Sequence, residues 1–306
     1  MERGVAAATG VQVERNVPIP TWFGVGGAAE RLARPETVDD LRRCLEIDPG
    51  LKVLGDGANL LVDDAGVGEL VVSLAQGEFS EVTYDEASGR VTAGAGVNLP
   101  KLVLEAVRRG LGGLEGLGGV PASVGGAAVM NAGGTFAQIC DVVARVEALD
   151  RSGAAVTLER KEIDYSYRRS GLNGLVITRV EFRLRRDDAG RLRARLKEVM
   201  SLKKKTQPLG ERSAGCAFRN PTLKEEIPNV GVPGARVSAG LLIDRAGGKG
   251  MRVGGAQVSE RHANFITAKK GCTARDVMRL MEALRAKVRD TFGVTLEEEV
   301  VVWRRA

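Results

Sequence analysis

The sequence predicts an α+β fold, and three observations carry that prediction. Stretches near 99–109, 191–205 and 273–292 place apolar residues at helical spacing, whereas 144–149, 155–158 and 175–184 read as short β-type runs. Between them lie turns unusually rich in glycine, 40 of 306 residues or about 13%, against a usual ~7%. A chain of 306 residues exceeds the roughly 250–300 at which one core stops growing, so two or three lobes are expected.

Taken in chain order, the first recognisable feature is a pair of segments that echo each other. Lys52–Leu61 and Arg90–Leu99 are each a short β-type run leading into G-x-G-x-N-L. The second runs into a helix, with Asn98 or Leu99 near the N-cap, Pro100 in the first turn and Gly110 as the stop. From Gly110 to Gly134 the chain is too glycine-rich for one regular element and reads as backbone wrapped around something. The three β-type runs that follow suggest a sheet, interrupted by the Tyr165–Ser170 segment.

Leu192, Leu196, Val199 and Met200 share one face of the next helix, and Pro208-Leu209-Gly210 ends it, making residues near 206–212 the best linker. The last helix starts at a Thr273–Asp276 capping box, buries Val277, Leu280, Met281, Leu284 and Val288, and stops at Gly293. The tail Val294–Trp303 is β-like, with Glu297 and Glu299 on one face and Glu298 on the other.

Composition excludes several classes. Glycine without a G-x-y period, 10 prolines and 43% hydrophobic residues fit neither collagen nor a disordered chain. No stretch nears the ~18 apolar residues of a membrane span. Residues 1–15 make a poor signal peptide, so the expected location is the cytoplasm. Cys44, Cys140, Cys216 and Cys272 are too scattered for a disulfide framework, and a single His262 argues against a His-rich metal site. A net charge of +6 suits a phosphate-bearing ligand. Lys203-Lys204-Lys205, the concentrated basic run, reads as a solvated helix end.

The two G-x-G turns invite a Rossmann reading, but Leu60 and Leu99 stand where the third glycine belongs and no helix clearly follows the first. Either turn alone reads as a tight connection. Together with the 113–134 stretch, and with Asn59, Ser123 and Asn131 as short polar side chains, they give many hydrogen-bonding groups without bulk. That suits an extended dinucleotide such as FAD.

At these residues the sequence resembles the UDP-N-acetylenolpyruvoylglucosamine reductases, the MurB flavoenzymes of peptidoglycan precursor synthesis, in their shorter, second type. The resemblance runs through Thr21-Trp22-Phe23, Gly55–Leu61, Gly118–Gly126, Met130–Gly133, Tyr167–Ser170, Ser213–Pro221, Ser238–Asp244, Gly254–Ser259, His262–Phe265 and Leu296–Val300. It implies a two-lobed FAD-binding domain of the vanillyl-alcohol-oxidase (PCMH) type, lobes 1–76 and 77–207, followed by an α+β substrate domain, 208–306. The cofactor-binding residues it implies are Gly55, Asp56, Gly57, Ala58, Asn59, Leu60, Gly119, Pro121, Ser123, Gly125, Gly126, Asn131, Ala132 and Gly133. The implied reaction uses NADPH to reduce FAD, which passes hydride to the enolpyruvyl group of a UDP-sugar, making UDP-N-acetylmuramate.

By the same resemblance Cys216 stands where the family has its proton donor, more often a serine. The change is chemically competent: the enolate left by hydride addition needs a proton, and a thiol with pKa ≈ 8.5 is far more acidic than an aliphatic hydroxyl. Arg168 matches the catalytic arginine that holds the substrate carboxylate, and Glu299 matches the catalytic glutamate, which spacing alone does not separate from Glu297. Tyr167, Asn220, Lys249, His262 and Asn264 fall at or beside substrate positions, and Arg219 replaces the usual lysine. The expected partners are therefore UDP-sugar and NADPH, without nucleic acid or membrane insertion, and the expected state is a monomer. Two other readings compete: a flavin oxidase or dehydrogenase of the same fold acting on a hydroxy acid or alcohol, and a basic nucleic-acid-binding protein, which would be colourless.

Overall fold

In the computed structural model, residues 3–5 and 10–305 are described. The signal-peptide question raised at residues 1–15 thus lies partly outside the described residues. Among those described, no helix is long and apolar enough to cross a membrane, and no group of three or more His, Cys, Asp or Glu side chains is placed to hold a metal.

The chain forms two compact units that are interleaved in sequence. The first comprises the segment up to Val17, Ala29–Asp56 and Gly68–Lys203; the second comprises Pro18–Ala28, Gly57–Val67 and Lys204 onward.

In the first unit, helix α1 (Val38–Ile47) starts where the Thr37 hydroxyl accepts from Asp40 N. Helix α2 (Leu99–Arg108) starts at Asn98, whose side chain accepts from Lys101 N, with Pro100 in the first turn. That selects Asn98 of the two N-cap candidates, and Gly110, at φ +69°, follows the C-cap. Helix α3 (Val124–Val129) is a short element inside the glycine-rich stretch, capped by Ser123. Helix α4 (Ala189–Thr206) ends just before Gln207-Pro208, as the proline predicts.

The β-type runs become strands Val143–Leu149, Ala155–Glu159 and Val176–Arg183, neighbours in a five-stranded sheet completed by Arg90–Gly94 and Val82–Asp85. Its pairs are antiparallel, and α2 and α3 contribute Leu99, Leu102, Val103, Val124 and Ala127 to the core that includes Val91, Val146, Val180 and Phe182. A second five-stranded sheet contains the parallel pair Lys52–Leu54 and Val67–Ser73.

In the second unit, helix α5 (Ala239–Arg245) is capped by Ser238 and helix α6 (Ala274–Phe292) by the predicted Thr273–Asp276 box, with Gly293 left-handed at its end. Asp64 adds a second cap, its two carboxylate oxygens accepting from Ala274 N at 2.8 Å and Arg275 N at 3.0 Å. The α6 face formed by Val277, Leu280, Met281, Leu284 and Val288 is buried with Phe23, Leu61, Phe218 and Val258.

Three expectations change. Strand structure at the C-terminus is confined to Val301–Trp303, parallel to Leu60–Val62. The alternation holds over Glu297–Glu299, where Arg219 N donates to Glu297 O and Glu298 bridges Phe218, and breaks at Val300, because Glu299 N and Val300 N both point at Ala217 O, at 2.9 and 3.4 Å, two residues facing one. Met200, grouped by sequence with Leu192, Leu196 and Val199 on one apolar face of α4, is exposed, whereas Lys203, read as part of a solvated run, is partly buried.

Candidate active site

In the first unit, strand Lys52–Leu54 delivers Gly55 and Asp56 to the edge of the core. Asn98 fixes the second of these: its Nδ2 donates to Asp56 Oδ2 at 2.7 Å while its Oδ1 caps α2. Burial pushes the Asp56 carboxyl above the usual carboxylate range, opposed by Asn98 and by the nearby Lys101. Gly55 is exposed, and a β-carbon there would lie 2.5 Å from the Ser123 hydroxyl. Ser123 itself is buried and accepts from Gly126 N at 3.3 Å.

The segment carrying Ser123 is zipped to the second glycine turn by main chain alone. Leu99 N donates to Ala122 O, Val124 N to Val97 O and Gly125 N to Ala95 O, all within 2.8–2.9 Å. Gly55, Ser123 and the exposed Gly126 therefore form one surface of main chain and a hydroxyl, without large side chains. Such a surface fits an extended dinucleotide, because its polar groups are backbone and its shape tolerates close approach.

Asn131 is 1% exposed and has φ +43°, a left-handed position where asparagine is favoured over most residues. Its Nδ2 donates to Ser166 O at 2.8 Å and to Gln138 Oε1 at 3.1 Å, and its Oδ1 accepts from Cys140 N at 3.4 Å. It thereby anchors a tight turn in which Ser166 N donates to Arg169 O and Arg169 N to Ser166 O, at 2.9 and 3.1 Å. Tyr167 and Arg168 form the tip of that turn. Arg168 has φ +57°, its Nη1 donates to Gly133 O at 2.9 Å, and its guanidinium lies 5.5 Å from the Tyr167 ring centroid. Ala132 is held beside them, its N–H donating to Ala127 O and its carbonyl accepting from Ile139 N. Pro121 and Gly119 lie on the approach to Ser123, both partly buried.

Gly57, Ala58, Asn59 and Leu60 belong to the second unit. Gly57 O accepts from Trp22 N at 3.0 Å, Ala58 is buried, and Leu60 pairs with Val301. The Asn59 side chain donates to Glu299 O at 3.0 Å, and Asn59 O accepts from Val301 N at 3.0 Å.

That second pair leads to the candidate chemistry. Cys216, partly buried, bridges Phe265, and Ala217 next to it donates to Asn264 O at 2.8 Å while accepting from Glu299 N at 2.9 Å. Cys216 and Glu299 thus sit on adjacent extended segments of the same unit. The neighbouring acids are engaged elsewhere: Glu297 lies 3.7 Å from Arg219, and Glu298 accepts from Arg285 and Arg304, each at 3.1 Å.

Asn264 is 2% exposed and bonds both main-chain groups of Phe218. His262 Nδ1 accepts from Asn264 N at 3.2 Å, and its ring meets Phe265 edge-on at 4.8 Å. Burial first, with Lys249 adding to it, pushes the imidazole pKa below its ordinary value. Asn220 Oδ1 accepts from Ala239 N at 3.0 Å, and the exposed Lys249 pairs with Asp244 at 3.2 Å. Sequence reasoning missed Asn98, Lys203 and Arg285 as supports of these groups. The echo of Asn59 at Asn98 was the available signal for the first; nothing local marks the other two.

The fold and the glycine-lined surface of the first unit define a flavoprotein-type dinucleotide-binding domain, and residues 29–159 match the FAD binding domain family. Residues 207–303 match the UDP-N-acetylenolpyruvoylglucosamine reductase, C-terminal domain. UDP-N-acetylenolpyruvoylglucosamine reductases of Desulfosudis oleivorans and Moorella thermoacetica are 41% and 40% identical, over 92% and 96% of this chain and 91% and 94% of theirs. The crystal structure of the Thermus caldophilus enzyme superposes with a TM-score of 0.80 at 40% identity, covering 96% of this chain and all of that one. The chain belongs to the UDP-N-acetylenolpyruvoylglucosamine reductase family.

Proposed function

We propose that this protein is an FAD- and NADPH-dependent cytoplasmic reductase that converts UDP-N-acetylenolpyruvoylglucosamine to UDP-N-acetylmuramate for peptidoglycan synthesis. Family membership over nearly the whole chain supports the activity. The observation that carries the chemistry is the juxtaposition of Cys216 and Glu299 on segments joined through Ala217. We retain the division in which residues 1–76 and 77–207 hold FAD and 208–306 hold substrate.

FAD, when bound, supplies the hydride that adds to one carbon of the enolpyruvyl double bond. Gly55, Ser123 and Gly126 present backbone and a hydroxyl to the dinucleotide, while Asn98 holds Asp56 and Asn131 fixes the turn bearing Arg168. The Arg168 guanidinium, steadied on Gly133 O, is assigned to the substrate carboxylate, and its charge stabilises the enolate that develops there. Cys216 holds at Sγ the proton that the second alkene carbon then takes, which completes addition of hydride and proton across the bond. Glu299 is assigned to help polarise the substrate carboxylate or to act in the proton transfer itself. Tyr167, Asn220, Lys249, His262 and Asn264 are assigned to the substrate side, the last three either directly or by shaping its edge.

The test is the visible spectrum of the purified protein, followed by anaerobic reduction with NADPH and reoxidation with the enolpyruvyl UDP-sugar. A flavin spectrum that bleaches with NADPH and returns only on adding the UDP-sugar is the expected result. A colourless protein sinks the proposal, and a flavin reoxidised only by oxygen favours the hydroxy-acid oxidase reading.

A further inference from the structure

Helix α4 carries Leu196, Met200 and Lys203 at i, i+4 and i+7, which share one helical face. All three converge on two residues. Leu196 lies so close to Gly118 that a β-carbon there would collide with it, and Met200 Sδ sits 2.7 Å from where a β-carbon of Gly119 would lie. Lys203 completes the set, its Cδ 3.5 Å from that same Gly119 position and its Nζ donating to Gly118 O at 2.7 Å. Gly119 has φ +69°, so this turn needs glycine for its backbone as well as for space.

The turn opens the segment that runs through Pro121 to Ser123, Gly125 and Gly126. The far end of that segment is fastened in the same way, by Arg168 on Gly133 O. Cationic side chains therefore hold a carbonyl at each end of the stretch 118–133. Lys203 is held there at a cost, because burial and the nearby positive Arg168 push its pKa down to about 8. Leu196, Met200, Gly118 and Gly119, which pack against it, contribute no titratable group.

We propose that Lys203 is a positioning residue for the FAD-binding turn, fixing Gly118-Gly119 and through it the main chain that leads to Ser123. The inference rests on the FAD reading above. The charge-assisted bond from Lys203 sets the path of the turn, and the methylene stem covers Gly119.

The experiment compares wild-type protein with Lys203→Met, which keeps the stem but loses the donor, and Lys203→Arg, which keeps a charged donor. FAD is titrated by fluorescence across roughly pH 7 to 9.5, on either side of the Lys203 pKa of about 8. In parallel, amide hydrogen exchange is followed in flavin-free protein over residues 113–123. The expected outcome is a dissociation constant raised about tenfold in Lys203→Met at neutral pH, the size of one lost charge-assisted hydrogen bond. Lys203→Arg should stay near wild type. Wild-type affinity should weaken as pH rises through about 8, where Lys203 loses its proton, while Lys203→Met shows no such step. Exchange over 113–123 should quicken in Lys203→Met only. Equal affinities and equal exchange in wild type and Lys203→Met overturn the inference. If wild-type protein binds no FAD, the reading of function fails, and the exchange result by itself then decides whether Lys203 holds the turn.

Discussion

Asn264 pairs with the main chain of Phe218 as a neighbouring β-strand would, its Oδ1 accepting from Phe218 N at 3.0 Å and its Nδ2 donating to Phe218 O at 2.7 Å. Phe218 is fully buried, so water has no access to replace either bond. The amide therefore sets the path of the segment that carries Cys216. Asn264→Ala would leave two buried main-chain groups unpaired, at a cost of about 2 kcal/mol or more. Thermal denaturation should show the loss, and turnover should fall together with it. Asn264→Asp, which keeps the acceptor but sets a buried carboxylate oxygen against Phe218 O, should lose at least as much stability; equal melting temperatures for all three proteins would remove this role.

The Gly55–Ser123 approach gives a second expectation. A methyl group at Gly55 would push the Ser123 hydroxyl off Gly126 N, coupling damage at the flavin surface to a lost helix cap. Gly55→Ala should purify with less bound flavin than Ser123→Ala, whose lost cap costs about 1 kcal/mol. Absorbance of the released flavin per protein measures this, and a full complement in Gly55→Ala would contradict it.

For Cys216 the prediction concerns proton donation alone. Cys216→Ser should retain more enolpyruvyl reduction than Cys216→Ala, because a hydroxyl still holds a transferable proton, though a weaker acid than a thiol. Stopped-flow reduction by NADPH should change little in either variant. Identical turnover of wild type and both variants takes the thiol out of the reaction.

His262 is the only histidine in the chain, so its titration is unambiguous. Its folded pKa lies below the ordinary value of about 6.5. As pH falls through about 6.5, the unfolded chain takes up a proton that the folded protein does not, so folding stability declines until the lower, folded pKa is passed. Protonation of Nδ1 also removes the acceptor for Asn264 N. The melting temperature of wild type should therefore fall more steeply between about pH 7 and 5.5 than that of His262→Gln; parallel curves would refute the assignment.

Much of the local structure is legible in the sequence because its signals are short-range. Pro100, the Thr273–Asp276 box and Gly293 mark helix ends through their own backbone chemistry, and the period-3.6 face of α6 appears as buried residues without exception. The alternation in the tail holds over Glu297–Glu299 and ends at Val300 for an equally physical reason. A bulge opposite Ala217 depends on the partner segment, and no pattern within the tail itself records that partner.

The sequence by itself determined the α+β class, the ends of α2, α4 and α6 to within a few residues, the glycine-rich turns and the family whose chemistry they carry. Only tertiary structure decided which polar residues face a ligand and which serve the backbone. Asn98, Asn131 and Asn264 have the same side chain, yet one holds Asp56, one braces the Arg168 turn and one replaces a strand beside Cys216. Likewise, three consecutive lysines are indistinguishable in sequence, but the orientation of α4 turns Lys203 onto Gly118 and leaves Lys204 and Lys205 exposed. A side chain's partner is set by long-range packing, which brings together residues that no local spacing relates.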